Sequence, residues 1–237
     1  MVDQINSPKS MGGIGLLTES RWIADLRPSL LRGLEELNLV LSSSQIEQVL
    51  GYIALLHKWG AVYNLTAIKE PTDILVQHVL DCLSIINPML VRVAPGACVL
   101  DVGSGAGLPA VMIAIACPSM SVVALDAVAK KVAFVQQVAL QLGLCNLQAK
   151  HERVEKINAA HFDLTVSRAF ASLSDFMTGT RGAVKKGGLW LAMKGRVPEE
   201  EIRQLPEGFV ILEIVSLKVP DLLAERCLVW IGPEPSL

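Results

Sequence analysis

The sequence predicts an α/β fold, a doubly wound and mostly parallel seven-stranded sheet with an antiparallel edge hairpin, preceded by a small helical region. Three observations lead there. Beyond Pro95 and Gly96, short β-rich runs alternate with helical ones. The last two β-rich runs follow each other without a helix, and the residues before about 92 show helical periodicity only.

Residues 1 to about 30 mix Gly, Ser and isolated apolar residues without period, as in "SPKSMGGIGLLTESR", and are expected to form a flexible extension. The helical region is drawn over 31–92. Its first helix is expected from Ser44, where Ser44-Gln45-Ile46-Glu47 has the form of a capping box before the stripe Ile46, Val49, Leu50, Ile53 and Leu56. A second follows Pro71, with Ile74, Leu75, Val79, Leu80 and Leu83 as its stripe. Over 93–237 the expected strands are Ala97–Val102, Ser121–Asp126, Leu147–Lys150, Asp163–Ser167, Gly188–Met193, Phe209–Leu217 and Arg226–Ile231. Helices are expected over Ala110–Cys117, Ala129–Leu142, Leu173–Val184 and Pro198–Leu205, which gives right-handed crossovers between parallel strands.

Composition narrows the class. The chain has 237 residues, 51% hydrophobic and 19% charged, enough for one sizeable core with a small appendage. Its longest unbroken apolar run, Ala110–Cys117, is far shorter than the roughly 20 residues that cross a bilayer, so no membrane association is expected. The N-terminus lacks the basic start, apolar block and cleavage site of a signal peptide. Cys82, Cys98, Cys117, Cys145 and Cys227 are scattered and contain no CxxC pair; they read as reduced thiols of a cytoplasmic protein. His57, His78, His151 and His161 lack zinc spacing, and no metal is predicted. Net charge is −2, but between Lys150 and Arg196 nine Lys/Arg stand against four acids, while from Pro198 onward eight acids stand against three bases. The middle segment therefore suits a polyanion or forms an ordinary solvated face.

The stretch "VLDVGSGAGLPA", Val99–Ala110, places Gly103, Gly105 and Gly107 at the end of the first parallel strand. A sharp turn with close ligand approach needs glycine there, and the spacing admits a dinucleotide or S-adenosylmethionine (SAM). Asp101, inside the sheet's carboxyl edge, would repel a pyrophosphate and suits a sulfonium and amino-acid ligand. Asp126 ends the second strand, where it accepts from ribose hydroxyls of either ligand. Seven strands with a terminal hairpin also favour a SAM-dependent methyltransferase over a six-stranded dinucleotide fold. A dinucleotide-binding oxidoreductase and a methyltransferase of small molecules are the competing readings.

In this order the chain carries "WGAVYNLTAI", "HVLDCLSI", "LDVGSGAGLP", "FDLTVSRAFASL", "AMKGRVPEEEI" and "VPDLLAERCLVWI". Over about Ser44 to Ile231 it resembles the bacterial 16S ribosomal RNA methyltransferase G family, also called glucose-inhibited division protein B. The resemblance implies a class I SAM-dependent methyltransferase fold and methyl transfer from SAM to N7 of a guanine, in a loop of 16S rRNA near the decoding region. By residue, it implies that Gly103 and Leu108 contact SAM, Asp126 holds the ribose, and Val154 and Glu155 flank the adenine. Arg168 then sits where cofactor and RNA meet, and Asn64, His78, Arg153, Lys194 and Arg226 serve RNA binding or pocket support. Ala110 stands where the family often has glycine, and Ala127 where a serine commonly follows the ribose acid; both changes are small. The implied partner is 16S rRNA or the small ribosomal subunit, with no obligate protein partner.

The chemistry suits these residues. Guanine N7 has a lone pair and no proton at neutral pH, so attack on a sulfonium methyl needs positioning and no general base. Arg or Lys donors orient the O6 and N7 edge, and Arg168 and Lys194 are chosen for that work. Ser167-Arg168-Ala169-Phe170 follows the fourth strand in place of an amino-methylating Asn-Pro-Pro-Tyr motif. Cys117-Pro118 closes the first helix of the sheet region on the wrong side for a C5 nucleophile. His78 and Asp81, three apart on one helix, form either an exposed pair or a hold on RNA at the pocket mouth. Phe170 stacks on a base or packs in the core, and Lys130 and Lys131 join the basic segment as phosphate contacts.

Overall fold

The structure, a computed structural model, describes residues 21–234 apart from 158, 159, 169 and 171. The expected extension over residues 1–20 lies outside the described residues. From Arg21, however, the chain is helical: α1 spans Arg21–Glu36 and buries Ile23, Leu26, Leu30 and Leu34. Residues 21–30 therefore belong to the core layer and not to an extension. Pro28 inside the helix and the charges around it mask a stripe that is helical in spacing.

Helix α2 spans Ser43–Tyr63 and is capped by Ser42. Ser42 Oγ accepts from the Gln45 N–H at 3.3 Å, and Gln45 Oε1 accepts from the Ser42 N–H at 2.8 Å. The capping box is thus Ser42 with Gln45, not Ser44 with Glu47. Gln45 decides between these overlapping boxes because its Nε2 also donates to the Ile115 carbonyl at 2.7 Å. The helix stops at Asn64, which adopts the left-handed conformation (φ 51°, ψ 50°) and donates its N–H to the Gly60 carbonyl. The next expected helix is broken into α3 (Pro71–Ile74), a π-helical turn (Leu75–Leu80) and α4 (Asp81–Leu83). Helix α5 follows over Ile86–Arg92. The stretch Pro71–Arg92 is apolar enough to resemble a membrane span, yet it buries Ile74, Leu75, Val79, Leu80, Cys82 and Leu83 in the core.

The sheet contains β1 (Cys98–Val102), β2 (Ser121–Asp126), β3 (Leu147–His151), β4 (Phe162–Ser167), β5 (Val184–Lys194), β6 (Phe209–Leu217) and β7 (Arg226–Pro233). Its order is β3-β2-β1-β4-β5-β7-β6, with β7 antiparallel to both neighbours and the remaining pairs parallel. The hairpin lies at one edge as the sequence predicts, with its second strand turned inward beside β5. Between strands run α6 (Ala110–Ala116), α7 (Ala129–Leu142), a 3₁₀ turn (Val154–Lys156), α8 (Leu173–Thr180) and α9 (Glu199–Arg203). Helix α8 is shorter than expected and β5 longer. Val184 pairs with Phe162, so the residues read as helical end belong to the strand, past a register shift between Phe162 and Leu164.

Alternation along the strands divides the core. Val99, Val122, Leu164, Leu191 and Trp230 face one side, where α1, α2, the π turn, α6 and α7 form one continuous apolar cluster. Leu100, Leu125, Trp190 and Val229 face the other side with Leu173, Phe176 and Met177 of α8. The helical region over 31–92 therefore has no core of its own, and covers the same sheet face as α6 and α7. The strand order turns about β1 and β4, so the crevice outside their carboxyl ends is where a doubly wound sheet takes its ligand.

Candidate active site

The loop after β1 folds back over β2, with the Gly103 and Ser104 N–H groups donating to the Leu125 carbonyl at 2.9 and 3.0 Å. Gly103 has φ +71°, and a Cβ built there would meet nothing within 4 Å, so its open side is free for a ligand. Gly107 differs: a Cβ there would lie 2.7 Å from Val111 Cγ2 and 3.0 Å from Val135 Cγ2. Its task is to let the loop pack on α6 and α7, whereas a Cβ at Gly105 would meet only the Gly103 carbonyl, at 4.0 Å. Leu108 is buried at the loop's end, and the N-terminal layer reaches the same loop through Tyr52, whose hydroxyl donates to the Ala106 carbonyl at 3.0 Å.

Both predicted acids lie at the strand ends. Asp101 is fully buried; Oδ2 accepts from the Ala110 N–H at 3.0 Å, and Oδ1 has no partner among the described residues. Burial raises its pKa to about 7, against the lowering effects of the Ala110 N–H and Arg168. Asp126 is buried too, with Oδ2 accepting from Gly105 N–H at 2.9 Å and Oδ1 from Val128 N–H at 2.8 Å. Each oxygen keeps a lone pair for a hydroxyl. An orphaned buried carboxylate oxygen, an open glycine wall and a second carboxylate on the loop fit the amino-acid and ribose ends of SAM. Ala127 follows directly, its carbonyl 3.1 Å from His151 Nε2. Val154 is buried and Glu155 exposed in the 3₁₀ turn after β3, with Arg153 exposed before it.

Arg168, next after β4, lies against the π turn and α4. Its Nη1 is 3.5 Å from the Gln77 carbonyl, 3.3 Å from His78 Nδ1 and 3.4 Å from Asp81 Oδ2. Arg226, opening β7, donates from Nε to Asp81 Oδ1 at 2.9 Å. His78 Nε2 lies 2.7 Å from Thr66 Oγ1. His78 Nδ1 also lies 3.1 Å from the Gln77 carbonyl, closer than Arg168 and able only to accept, so Nδ1 carries the proton and Nε2 accepts from the Thr66 hydroxyl, a tautomer assigned from the partners. Burial and the neighbouring guanidinium lower the His78 pKa to about 4, so the ring is neutral. Sequence reading joined His78 to Asp81 but missed that both face Arg168. The available signal was an acid inside the apolar run "ILVQHVLDCLSII". Behind the arginine, Ser167 Oγ donates to the Val102 carbonyl at 2.9 Å and ties β4 to β1.

Lys194, at the end of β5, donates to Glu201 Oε1 and Oε2 at 3.0 and 2.8 Å, and Glu201 Oε2 also accepts from the Leu173 N–H at 2.7 Å. Thus Lys194 helps hold the start of α8. Asn64 is exposed, and its visible work is ending α2. Phe170 packs on Phe176 with ring centroids 5.5 Å apart. The basic middle segment is partly neutralised, since Lys185 pairs with Asp163 and Arg196 with Glu225. Lys130 lines a groove of about 520 Å³ between α2 and α7, with Trp59, Tyr63, Ala133, Phe134 and Gln137; the groove contains none of the residues expected to bind cofactor.

The chain is similar to known proteins in sequence and in fold. Residues 45–229 match the model of the family described as rRNA small subunit methyltransferase G. The ribosomal RNA small subunit methyltransferase G of Methylibium petroleiphilum is 47% identical over 206 residues, 86% of this chain and 93% of that protein. Its counterpart in Polaromonas naphthalenivorans is 48% identical over 215 residues, 88% of this chain and 96% of that protein. In fold, a SAM-dependent methyltransferase from Aquifex aeolicus aligns with a TM-score of 0.56 at 16% identity, over 72% of this chain and 97% of that one. The chain is a methyltransferase whose cofactor is SAM, and it belongs to the rRNA small subunit methyltransferase G family.

Proposed function

We propose that the protein methylates N7 of a guanine in 16S rRNA, with Arg168 orienting the purine edge and Lys194 supplying a second cation at the same rim. When bound, SAM supplies an electrophilic methyl group on a sulfonium. The residues of this chain then need only align and stabilise. Asp101 and Asp126 fix the amino-acid and ribose ends, the 3₁₀ turn with Val154 and Glu155 borders the adenine, and Gly103, Gly105 and Leu108 shape the wall between them. N7 already carries its lone pair, so no side chain has to remove a proton, and in-line alignment carries most of the rate. The observation behind the choice of Arg168 is its hydrogen bonding: only Nη1 is engaged, while Nε and Nη2 have no partner among the described residues. A guanidinium edge of this kind can donate to guanine O6 beside N7 and hold the base while the N7 lone pair stays free for the methyl.

Lys194 keeps one ammonium hydrogen after its bonds to Glu201, enough for a single contact to substrate. Asn64, His78, Arg153 and Arg226 form the support and RNA-facing rim in this reading, and Lys130, Lys131, Lys150 and Lys156 meet phosphates. The substrate is 16S rRNA, free or in the small subunit, and the reaction is cytoplasmic. Incubating the protein with tritiated SAM and undermethylated small subunits tests the reading. Label at one guanine supports it, and label confined to protein or small molecules rejects it.

A further inference from the structure

We infer that Asp81 is a positioning residue for methyl transfer: shared between Arg168 and Arg226, its carboxylate holds the Nη1 edge of Arg168 and turns the Nε and Nη2 edge toward the purine. The inference rests on the reading of Arg168 above.

Asp81 is 3% exposed at the start of α4, among Cys82, Leu83 and Leu80. A carboxylate is costly to bury there, and an apolar side chain would serve the packing as well. Its two oxygens are divided: Oδ1 takes the well-formed 2.9 Å bond from Arg226, and Oδ2 faces Arg168 at 3.4 Å. The arginines come from the end of β4 and the start of β7, separated in the sheet by β5. One helical carboxylate therefore sets the direction of two cations at the carboxyl rim of the sheet.

The groups around it agree in sense. The π turn brings the Gln77 carbonyl and the His78 ring beside the same Nη1, so Arg168 meets two acceptors on one edge, Gln77 O and Asp81 Oδ2, with the His78 ring packed against them. The His78 ring is held in place from both sides, Nδ1 3.1 Å from the Gln77 carbonyl and Nε2 against Thr66 Oγ1, which also accepts from the Ile68 N–H at 3.1 Å. With His78 neutral, two guanidiniums against one carboxylate leave one positive charge at the rim. The contacts to Nη1, at 3.3 to 3.5 Å, are long, so they steer the guanidinium and leave it room to tighten on substrate.

A purely structural tie between the helical layer and the sheet would lower stability without acting through Arg168. The test is a double-mutant cycle with Asp81→Asn, which keeps the shape, and Arg168→Ala. It uses the full-length protein with SAM and undermethylated small subunits, and follows kcat, the Kd for SAM and the melting temperature. Expected is a fall in kcat of about tenfold for Asp81→Asn, the size of coupling between residues in contact, with the Kd for SAM unchanged. In the Arg168→Ala background, Asp81→Asn should then cost nothing further. Independent, multiplying losses, or a wild-type kcat in Asp81→Asn while Arg168→Ala is impaired, would overturn the inference and leave the Arg168 reading intact. Full activity in Arg168→Ala would instead remove the reading on which the inference rests.

Discussion

The hydroxyl of Tyr52 donates to the carbonyl of Ala106 at 3.0 Å, a bond that ties a fully buried residue of α2 to the glycine loop. Burial holds the phenol well above its usual pKa, so it is a protonated donor at neutral pH. Tyr52→Phe keeps the ring and leaves the carbonyl without this partner. It should destabilise the protein by about 1 to 3 kcal/mol and weaken SAM binding, as read by thermal unfolding and calorimetry. Unchanged SAM affinity would show that the loop does not need the helical layer.

The proposed contact of Asp101 with the amino-acid end of SAM predicts pH-dependent cofactor binding. Its folded pKa, about 7, lies above its ordinary value, so the folded protein holds the extra proton between them. Its contribution to stability is full below the ordinary value and is lost as pH rises through 7. Cofactor binding is expected to have the opposite slope, because in the proposed contact the ligand's ammonium needs the ionised carboxylate. Affinity for SAM should rise by up to about tenfold per pH unit as pH increases toward 7 and level off above it. Asp101→Asn should flatten the profile. His78 adds a separate stability change, since its folded pKa of about 4 lies below its ordinary value. Its contribution is present above that ordinary value and lost as pH falls toward 4.

Lys194 and Glu201 test whether the lysine acts on substrate or only on the fold. Glu201→Gln loosens Lys194 and weakens the acceptor for the Leu173 N–H; it should destabilise by roughly 1 to 3 kcal/mol. Lys194→Ala should show a comparable loss in thermal unfolding and, in addition, slower transfer. Equal rates for the two variants at a temperature where both are folded would confine Lys194 to the fold.

Helix α1 offers a direct measure of what the N-terminal layer contributes. Leu30 is fully buried in the cluster that also holds Leu80 and Ile86, so Leu30→Ala should cost about 2 to 5 kcal/mol in denaturant unfolding. A residue of a loose extension would cost almost nothing.

The sheet was legible because its strands are short apolar runs separated by strong breakers, and the two acids announced themselves by standing at strand ends beside glycines. Helix α1 was not, because Pro28 and scattered charges obscure a stripe that only packing reveals. The Ser42 and Ser44 boxes have the same spacing, which cannot choose between them; Gln45 settles it through a bond to Ile115, 70 positions away by chain and invisible to local pattern. The Asp81 clamp joins α4, β4 and β7, and no window of sequence contains all three. Lys194 was legible as a residue at a strand end but not as the partner of Glu201, because the return of α9 over α8 is a tertiary fact.

The most direct test maps the methyl group. Small subunits lacking the modification are incubated with the protein and labelled SAM, and the 16S rRNA is digested and read by mass spectrometry. Expected is one methyl per subunit, on N7 of a single guanine and absent when the protein is omitted. A methyl on an exocyclic amine, on a pyrimidine carbon or on no nucleotide at all would contradict it.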